Sequence, residues 1–176
     1  LYFLESIRNP VLDLFFSIIT LCGEETIFMA IGLVVFWCFD KRQGYYLLCV
    51  GFLGTVINQF LKMVFRVPRP WIKNPDFTIV ESAREEATGY SFPSGHTASS
   101  FAAAIGLFIY HKKLGIAALI WATLVAFSRL YMYVHYPTDI LAGIVMGIIC
   151  AVIGMVLVNK FYQPIADKIA GKFKKK

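Results

Sequence analysis

Long apolar runs broken by short clusters of charge set the pattern of this chain. Residues 26–39 run almost wholly apolar until Asp40-Lys41-Arg42, and residues 44–65 form a longer run. A third extends from about Thr97 to Tyr110 and stops at His111-Lys112-Lys113. Two more follow, from Leu114 to about Met132 and from Pro137 through Val158, before Asn159-Lys160. About 20 apolar residues in a helix cross a bilayer core, so these runs predict membrane-spanning helices, the 26–39 run making a short one. Residues 2–22 are also mostly apolar but carry Glu5, Arg8, Pro10 and Asp13, and this segment is expected to span or to lie partly in the interface. The expected fold is therefore all-α, a polytopic transmembrane bundle of about six helices.

The polar punctuation fixes where the helices stop. Pro68 forces the 44–65 helix to end soon after Phe65, which leaves Lys62 on its last turn or so. From Arg66 to Phe92 the composition turns to proline and acidic residues, predicting a long water-exposed loop over residues 66–93. Pro93-Ser94 and Pro137-Thr138-Asp139 each read as a helix start. The chain is expected to be one domain over residues 1–176, closing with a basic tail over residues 160–176.

Composition supports the membrane reading: 58% of the residues are hydrophobic and the mean hydropathy is +0.65. The net charge of +6 forms no basic stripe with interleaved aromatics, so no nucleic-acid partner is expected, and membrane lipids are the expected surroundings. The chain opens on Leu1, and no basic flank, short apolar core and small-residue cleavage site follow in order, so no cleavable signal is expected. Cys22, Cys38, Cys49 and Cys150 lie within apolar segments without paired spacing and read as small apolar packing residues. Ten of the 17 basic residues, or eleven with Arg8, fall on one side of the predicted zigzag. By the positive-inside rule that side is cytoplasmic, which makes this a multi-pass cell-membrane protein.

The remaining polar stretches open on the other, extracytoplasmic side. Lys62 ends one helix, Pro93 to His96 begins the next, Arg129 ends another and Asp139 begins the last, so helix alternation alone gathers them at one end of the bundle. Arg69 and Arg129 offer planar forks suited to phosphate oxygens, and Lys62 adds a point charge. Ser94-Gly95 at a helix start offers backbone N–H groups and the positive end of the helix dipole. The ligand implied is an anion, with phosphate the obvious candidate. Two histidines divide the chemistry: one attacks phosphorus while the other protonates the leaving oxygen and later activates water. Asp139, four residues after His135, can accept a hydrogen bond from its ring, which makes His135 the better nucleophile candidate and His96 the acid. No cluster of carboxylates at this mouth suggests a metal, and neither metal nor cofactor is expected. Taken singly, each piece has a plainer reading: Lys62 as a snorkelling cation, Arg129 as a partner of Asp139, and Tyr131, Tyr133 and Tyr136 as an interfacial aromatic belt.

The spacing of these residues is distinctive. Lys62 with six intervening residues then Arg69-Pro70, Pro93-Ser94-Gly95-His96, and Ser128-Arg129 with five intervening residues, His135, three more and Asp139 together resemble the three-part signature of the type 2 phosphatidic acid phosphatase superfamily. The flanking helices resemble its membrane-embedded branch. The resemblance implies a six-helix bundle with an extracytoplasmic site, His135 as nucleophile, Asp139 as its orienting partner and His96 as general acid. It also implies that Lys62, Arg69, Ser94, Gly95 and Arg129 hold phosphate. The expected activity is metal-independent hydrolysis of a lipid phosphate or diphosphate. Undecaprenyl diphosphate, phosphatidylglycerol phosphate and phosphatidic acid are the candidate substrates, because the motifs read phosphate and not the lipid tail. Two alternatives use the same residues: transfer of the phosphoryl group to a lipid or sugar hydroxyl, and a non-catalytic lipid-binding or transport protein.

Overall fold

The computed structural model describes residues 2–74, 79, 80, 83, 89–166 and 168, and among these the only regular elements are helices. In chain order they are α1 (Tyr2–Ser6), α2 (Pro10–Leu21), α3 (Glu25–Val34), α4 (Lys41–Phe65), α5 (Pro70–Lys73), α6 (Gly95–Tyr110), α7 (Lys112–Tyr131) and α8 (Pro137–Leu157). Single wide π turns, Val35–Phe39 and Val158–Tyr162, extend α3 and α8.

Local chemistry sets most of these boundaries. Asn9 caps α2 by accepting from Val11 and Leu12 N–H, with Pro10 in the first turn, and Asp40 caps α4 by accepting from Arg42 and Gln43 N–H. At its far end α4 stops with Arg66 in the left-handed region (φ 48°), its N–H closing on Lys62 O at 3.0 Å. Pro137 occupies the first turn of α8.

Among the described residues, three helical stretches are long and apolar enough to cross a membrane: Lys41–Lys73, Lys112–Tyr131 and Pro137–Ala166. The pair Pro10–Leu21 and Glu25–Phe39 passes the same test only together, bent by 50°. This changes the expectation for residues 2–22. A 12-residue helix reaches about 18 Å, well short of a bilayer core of about 30 Å. Its neighbours also fix its direction. Tyr131 donates its hydroxyl to Asp13 at 2.7 Å, and Phe16 meets the Tyr131 ring at 4.5 Å. Further along, Thr20 meets Arg129. Helix α2 thus starts at the end of the bundle where α7 stops, and α3 continues the same descent beyond the bend. Arg8, bridged to Asp13 at 3.2 Å, lies at that end and not with the basic residues of the opposite one.

The centre of the bundle is one apolar cluster from α3, α4, α6 and α8, including Phe28, Tyr46, Val50, Ala98, Ala102, Met146 and Cys150. Tyr46 reaches across to donate to Ala102 O at 2.7 Å. A second cluster joins Phe16 and Ile19 of α2 to Val125 and Tyr131 of α7 and to Ile79 and Ala83. The segment over residues 66–93, expected to be a water-exposed loop, is mixed where it is described: Arg69, Pro70, Ile79, Ala83 and Ser91 are buried, while Arg66, Pro68, Ile72, Lys73, Asn74, Gly89 and Tyr90 are exposed; residues 75–78, 81, 82 and 84–88 of it lie outside the described residues. The outward faces are apolar, with Phe52, Val56 and Phe60 on α4 and Val145, Ile148, Ile149 and Val152 on α8 all exposed, as a lipid-facing surface requires. Of the four cysteines, all free, only Cys150 is buried, and Cys22 and Cys38 are exposed, so the packing role holds for one of them.

The α6–α8 seam is the tightest helix contact that bears on the site. A Cβ on Gly147 would fall 2.6 Å from Ala98 O, which only glycine avoids. Gly147→Val should lower the thermal unfolding midpoint in detergent, by the equivalent of about 1–3 kcal/mol. The lipid-facing change Val152→Ala should leave it within about 0.5 kcal/mol. Equal midpoints for both variants would contradict the packing described.

Candidate active site

The motif between α7 and α8 is buried throughout. Tyr131, Met132, Tyr133 and Val134 are fully buried and His135 nearly so. The expectation of an aromatic belt therefore fails for Tyr131 and Tyr133. Both pack inward, Tyr131 against α2 with its hydroxyl on Asp13, and Tyr133 beside Leu4 and Leu130. The backbone doubles back here, with Tyr133 in the left-handed region (φ 59°) and Val134 N–H returning to Arg129 O at 3.3 Å. That turn sets His135 one helical turn before Asp139 with both side chains buried.

Asp139 is the most heavily used acceptor. Its Oδ2 lies 3.3 Å from His135 Nδ1 and accepts Tyr136 N–H at 2.8 Å, which also caps α8. The Ser91 hydroxyl donates to the same oxygen in a very short hydrogen bond, and it also lies 3.5 Å from His135 Nδ1. Ser94 N–H donates to Asp139 O at 3.1 Å. With Nδ1 facing the carboxylate, Nε2 of His135 is the nitrogen left for substrate. Burial is the largest influence on this ring and pushes its pKa below the ordinary imidazole value. The hydrogen bond to Asp139 pulls the other way, and the Arg129 and Arg69 charges add to the fall. The ring is held neutral at neutral pH, as a nucleophile requires.

A polar cavity of about 260 Å³ opens in front of His135, lined by Glu24, Glu25, Thr26, Gln59, Lys62, Arg69, Gly95, His96, Arg129 and His135. Six of the eight residues singled out from the sequence therefore line one space. Asp139 stands behind His135, and Ser94 stands behind Gly95. Ser94 is fully buried and works as the cap of α6, its hydroxyl accepting from Thr97 N–H and from Thr97 Oγ1 at 2.9 Å. Its own N–H is taken by Asp139, so Ser94 positions the turn, and Gly95 and His96 are its residues at the cavity wall.

The cations are aimed by fixed contacts. Arg69 donates from Nη1 to Val134 O at 3.0 Å and from Nε to Gly89 O at 3.1 Å. Arg129, almost fully buried, donates from Nη1 to the Thr20 hydroxyl at 2.5 Å. Nε2 of His96 is buried without a hydrogen-bond partner among the described residues, a position that a substrate oxygen would satisfy. Gly95 packs closely against two side chains: a Cβ there would lie 2.8 Å from Glu25 Oε1 and 3.3 Å from Asn58 Oδ1, so Glu25 would have to shift.

The model of the PAP2 superfamily matches residues 42–163, more than half the chain and all eight of the residues singled out from the sequence. The chain belongs to that superfamily. Undecaprenyl-diphosphatase BcrC of Bacillus subtilis is 31% identical to it over 94% of this chain and 90% of the relative. Among solved structures, LpxE of Aquifex aeolicus superposes with a TM-score of 0.74 at 29% identity, covering 87% of this chain and 90% of that one. The transmembrane PAP2-type phosphatidylglycerolphosphate phosphatase of Bacillus subtilis gives 0.69 at 26% identity, covering 88% of this chain and 80% of that one. This PAP2 protein is a membrane-integrated phosphoric ester hydrolase.

Thr20, Ser91, Glu24 and Glu25 were not among the residues singled out from the sequence. Thr20 sits in an apolar run 109 residues before its partner, and Ser91 lies just outside the second motif. Glu24 and Glu25 fall between the 2–22 and 26–39 segments of the sequence, and they give this mouth carboxylates. Removing the Ser91 hydroxyl (Ser91→Ala) should lower kcat by about tenfold or more with little change in KM, the rate equivalent of a lost hydrogen bond to a charged group. Thr20→Val should act on KM instead, raising it about threefold to tenfold as Arg129 loses its brace. Ser91→Thr and Thr20→Ser, which keep the hydroxyls, should restore each parameter. Steady-state kinetics showing both alanine-type effects on the same parameter would contradict this division.

Proposed function

We propose that this PAP2 enzyme hydrolyses lipid phosphates or diphosphates through a phosphohistidine on His135, at the extracytoplasmic face of the membrane. One observation carries the reading: two histidines and three cations share a single cavity at one end of an apolar bundle, and one of those histidines is backed by a buried carboxylate. An isoprenoid diphosphate is the favoured substrate, supported by the undecaprenyl-diphosphatase named among the relatives over nearly their whole common length. Lys41, Arg42, Lys112, Lys113 and Lys160 flank the helix ends opposite the cavity, and the sequence carries five more lysines after the last of these, which supports the sidedness.

In the mechanism, Lys62, Arg69 and Arg129 draw the terminal phosphoryl group against the start of α6, where Gly95 lets the backbone come close. His135 Nε2 attacks phosphorus, forming an N–P bond as the bond to the leaving oxygen breaks. His96 gives its proton to that oxygen, and the developing imidazolium of His135 is stabilised by Asp139, itself steadied by Ser91. Water, deprotonated by His96, then attacks phosphorus. The N–P bond breaks, inorganic phosphate is released, and both rings return to their starting state. Every charge that develops meets a group already fixed by the fold, and no step requires a metal.

Purified protein in detergent should release phosphate from undecaprenyl diphosphate, phosphatidylglycerol phosphate or phosphatidic acid with chelator present, with the isoprenoid diphosphate showing the highest kcat/KM. His135→Ala should remove the activity by a factor of about 10⁴ or more. A requirement for added divalent metal, or label passing to a lipid or sugar hydroxyl in place of water, would overturn the hydrolytic reading.

A further inference from the structure

The cavity that would hold a phosphate dianion also contains negative charge. Glu24 and Glu25 line it together with the three cations and the two histidines. The two carboxylates are differently placed. Glu24 Oε1 accepts the Thr26 hydroxyl at 2.6 Å, within the start of α3. Glu25 reaches across to other helices: its Oε2 accepts the Thr55 hydroxyl of α4 at 3.1 Å, and its Oε1 faces Gly95 of α6. Thr55 and Lys62 are seven residues apart and so share one face of α4. Glu25 therefore sits between the turn that would meet phosphate and the face of the helix that carries Lys62, and it interacts electrostatically with Lys62.

An acid in the first turn of a helix ordinarily serves that helix's own positive end. The contacts of Glu25 run to α4 and α6, which that role does not need. A site built only from Lys62, Arg69, Arg129 and a helix start would hold every phosphate tightly, including the inorganic phosphate it must discard. Binding that is equally strong for substrate and product adds nothing to turnover, and release becomes the slow step.

We propose that Glu25 is the internal counter-anion of the phosphate site, competing with phosphate for Lys62 and so setting how fast inorganic phosphate leaves. In the empty site the carboxylate balances Lys62. When phosphate occupies the cavity, the two anions repel across a short distance, and the departing product is exchanged for the carboxylate. Gly95 then has two tasks, giving phosphate access to the backbone and leaving room for Glu25. The proposal rests on the reading of this cavity as the phosphate site.

The test is Glu25→Gln, which keeps the shape and an oxygen to accept from Thr55 while removing the charge. Two readouts are taken with inorganic phosphate as the probe: its inhibition constant, and the rise in thermal unfolding midpoint it produces in detergent. The second needs no turnover, so it reads the proposal even in an inactive variant. The inhibition constant should fall about tenfold, with a larger thermal shift at equal phosphate and a fall in KM and kcat together. Glu25→Asp, which keeps the charge, should stay nearer the parent protein. Unchanged phosphate affinity in Glu25→Gln would overturn the proposal and leave Glu25 as a structural brace. So would unchanged affinity with a kcat loss confined to poor leaving groups, the signature of proton transfer through His96. If phosphate stabilises neither protein, the cavity is not the phosphate site and both readings fall. If it stabilises both equally, only the Glu25 proposal fails.

Discussion

A carboxylate buried at the end of a membrane bundle is costly, several kcal/mol before compensation, and the site is arranged around making one tolerable. Asp139 is 1% exposed, and its carboxylate meets His135, the Ser91 hydroxyl and Tyr136 N–H while its carbonyl receives Ser94 N–H. These bonds tie the segment leading into α6 to the continuous stretch formed by the turn after α7 and the start of α8, about 45 residues further along the chain. Satisfying one buried charge therefore aligns the nucleophile candidate, fixes the α6 start beside it and seals the loop over both. Loss of any one partner would leave the others on a charge with too few donors.

The membrane fold supplies the remaining alignment. Alternating helices bring the ends of α4 and α7 and the starts of α3, α6 and α8 to one level, and lipid-facing side chains leave polar groups only the interior to occupy. Arg69 and Arg129 are then aimed by short contacts to residues that the signature does not specify: Arg69 by the carbonyls of Val134 and Gly89, and Arg129 by Thr20. The α2–α3 pair is more than a fourth crossing. It delivers Thr20 to Arg129, Glu25 to the cavity and Asp13 to Tyr131, and so braces the motif.

The main helices could be read from the sequence because their boundaries are set by local chemistry: Asp40 before α4 and Ser94 before α6 accept from the nearest N–H groups, and Pro137 presets the first turn of α8. The cavity could be read because helix alternation is a counting argument, and Lys62, Arg69, Gly95, His96, Arg129 and His135 do meet. What could not be read depends on contacts between distant segments. Thr20 among apolar residues looks like packing until Arg129 lies beside it. Tyr131 and Tyr133 look interfacial by residue type, and only the return of the chain at Tyr133 buries them. Residues 2–22 have the composition of a span, but Asn9 and Pro10 restart the helix too late for it to cross alone. Ser94 carries a phosphate-binding signature, and it also serves the start of α6, its N–H donating to Asp139 O and its hydroxyl oxygen accepting from Thr97.

The central claim is that phosphorus passes through a covalent bond to His135, and rapid chemical quench tests it most directly. Lipid substrate labelled in its terminal phosphate, mixed with enzyme and quenched in base within the first turnover, should leave label on the protein. Peptide mapping should place that label on His135, stable to base and lost in acid as a phosphoramidate is. His135→Ala should carry none, while Asp139→Asn should accumulate it more slowly with the same site of attachment. Full-rate phosphate release with no protein-bound label at any time, or label on a residue other than His135, would contradict the account.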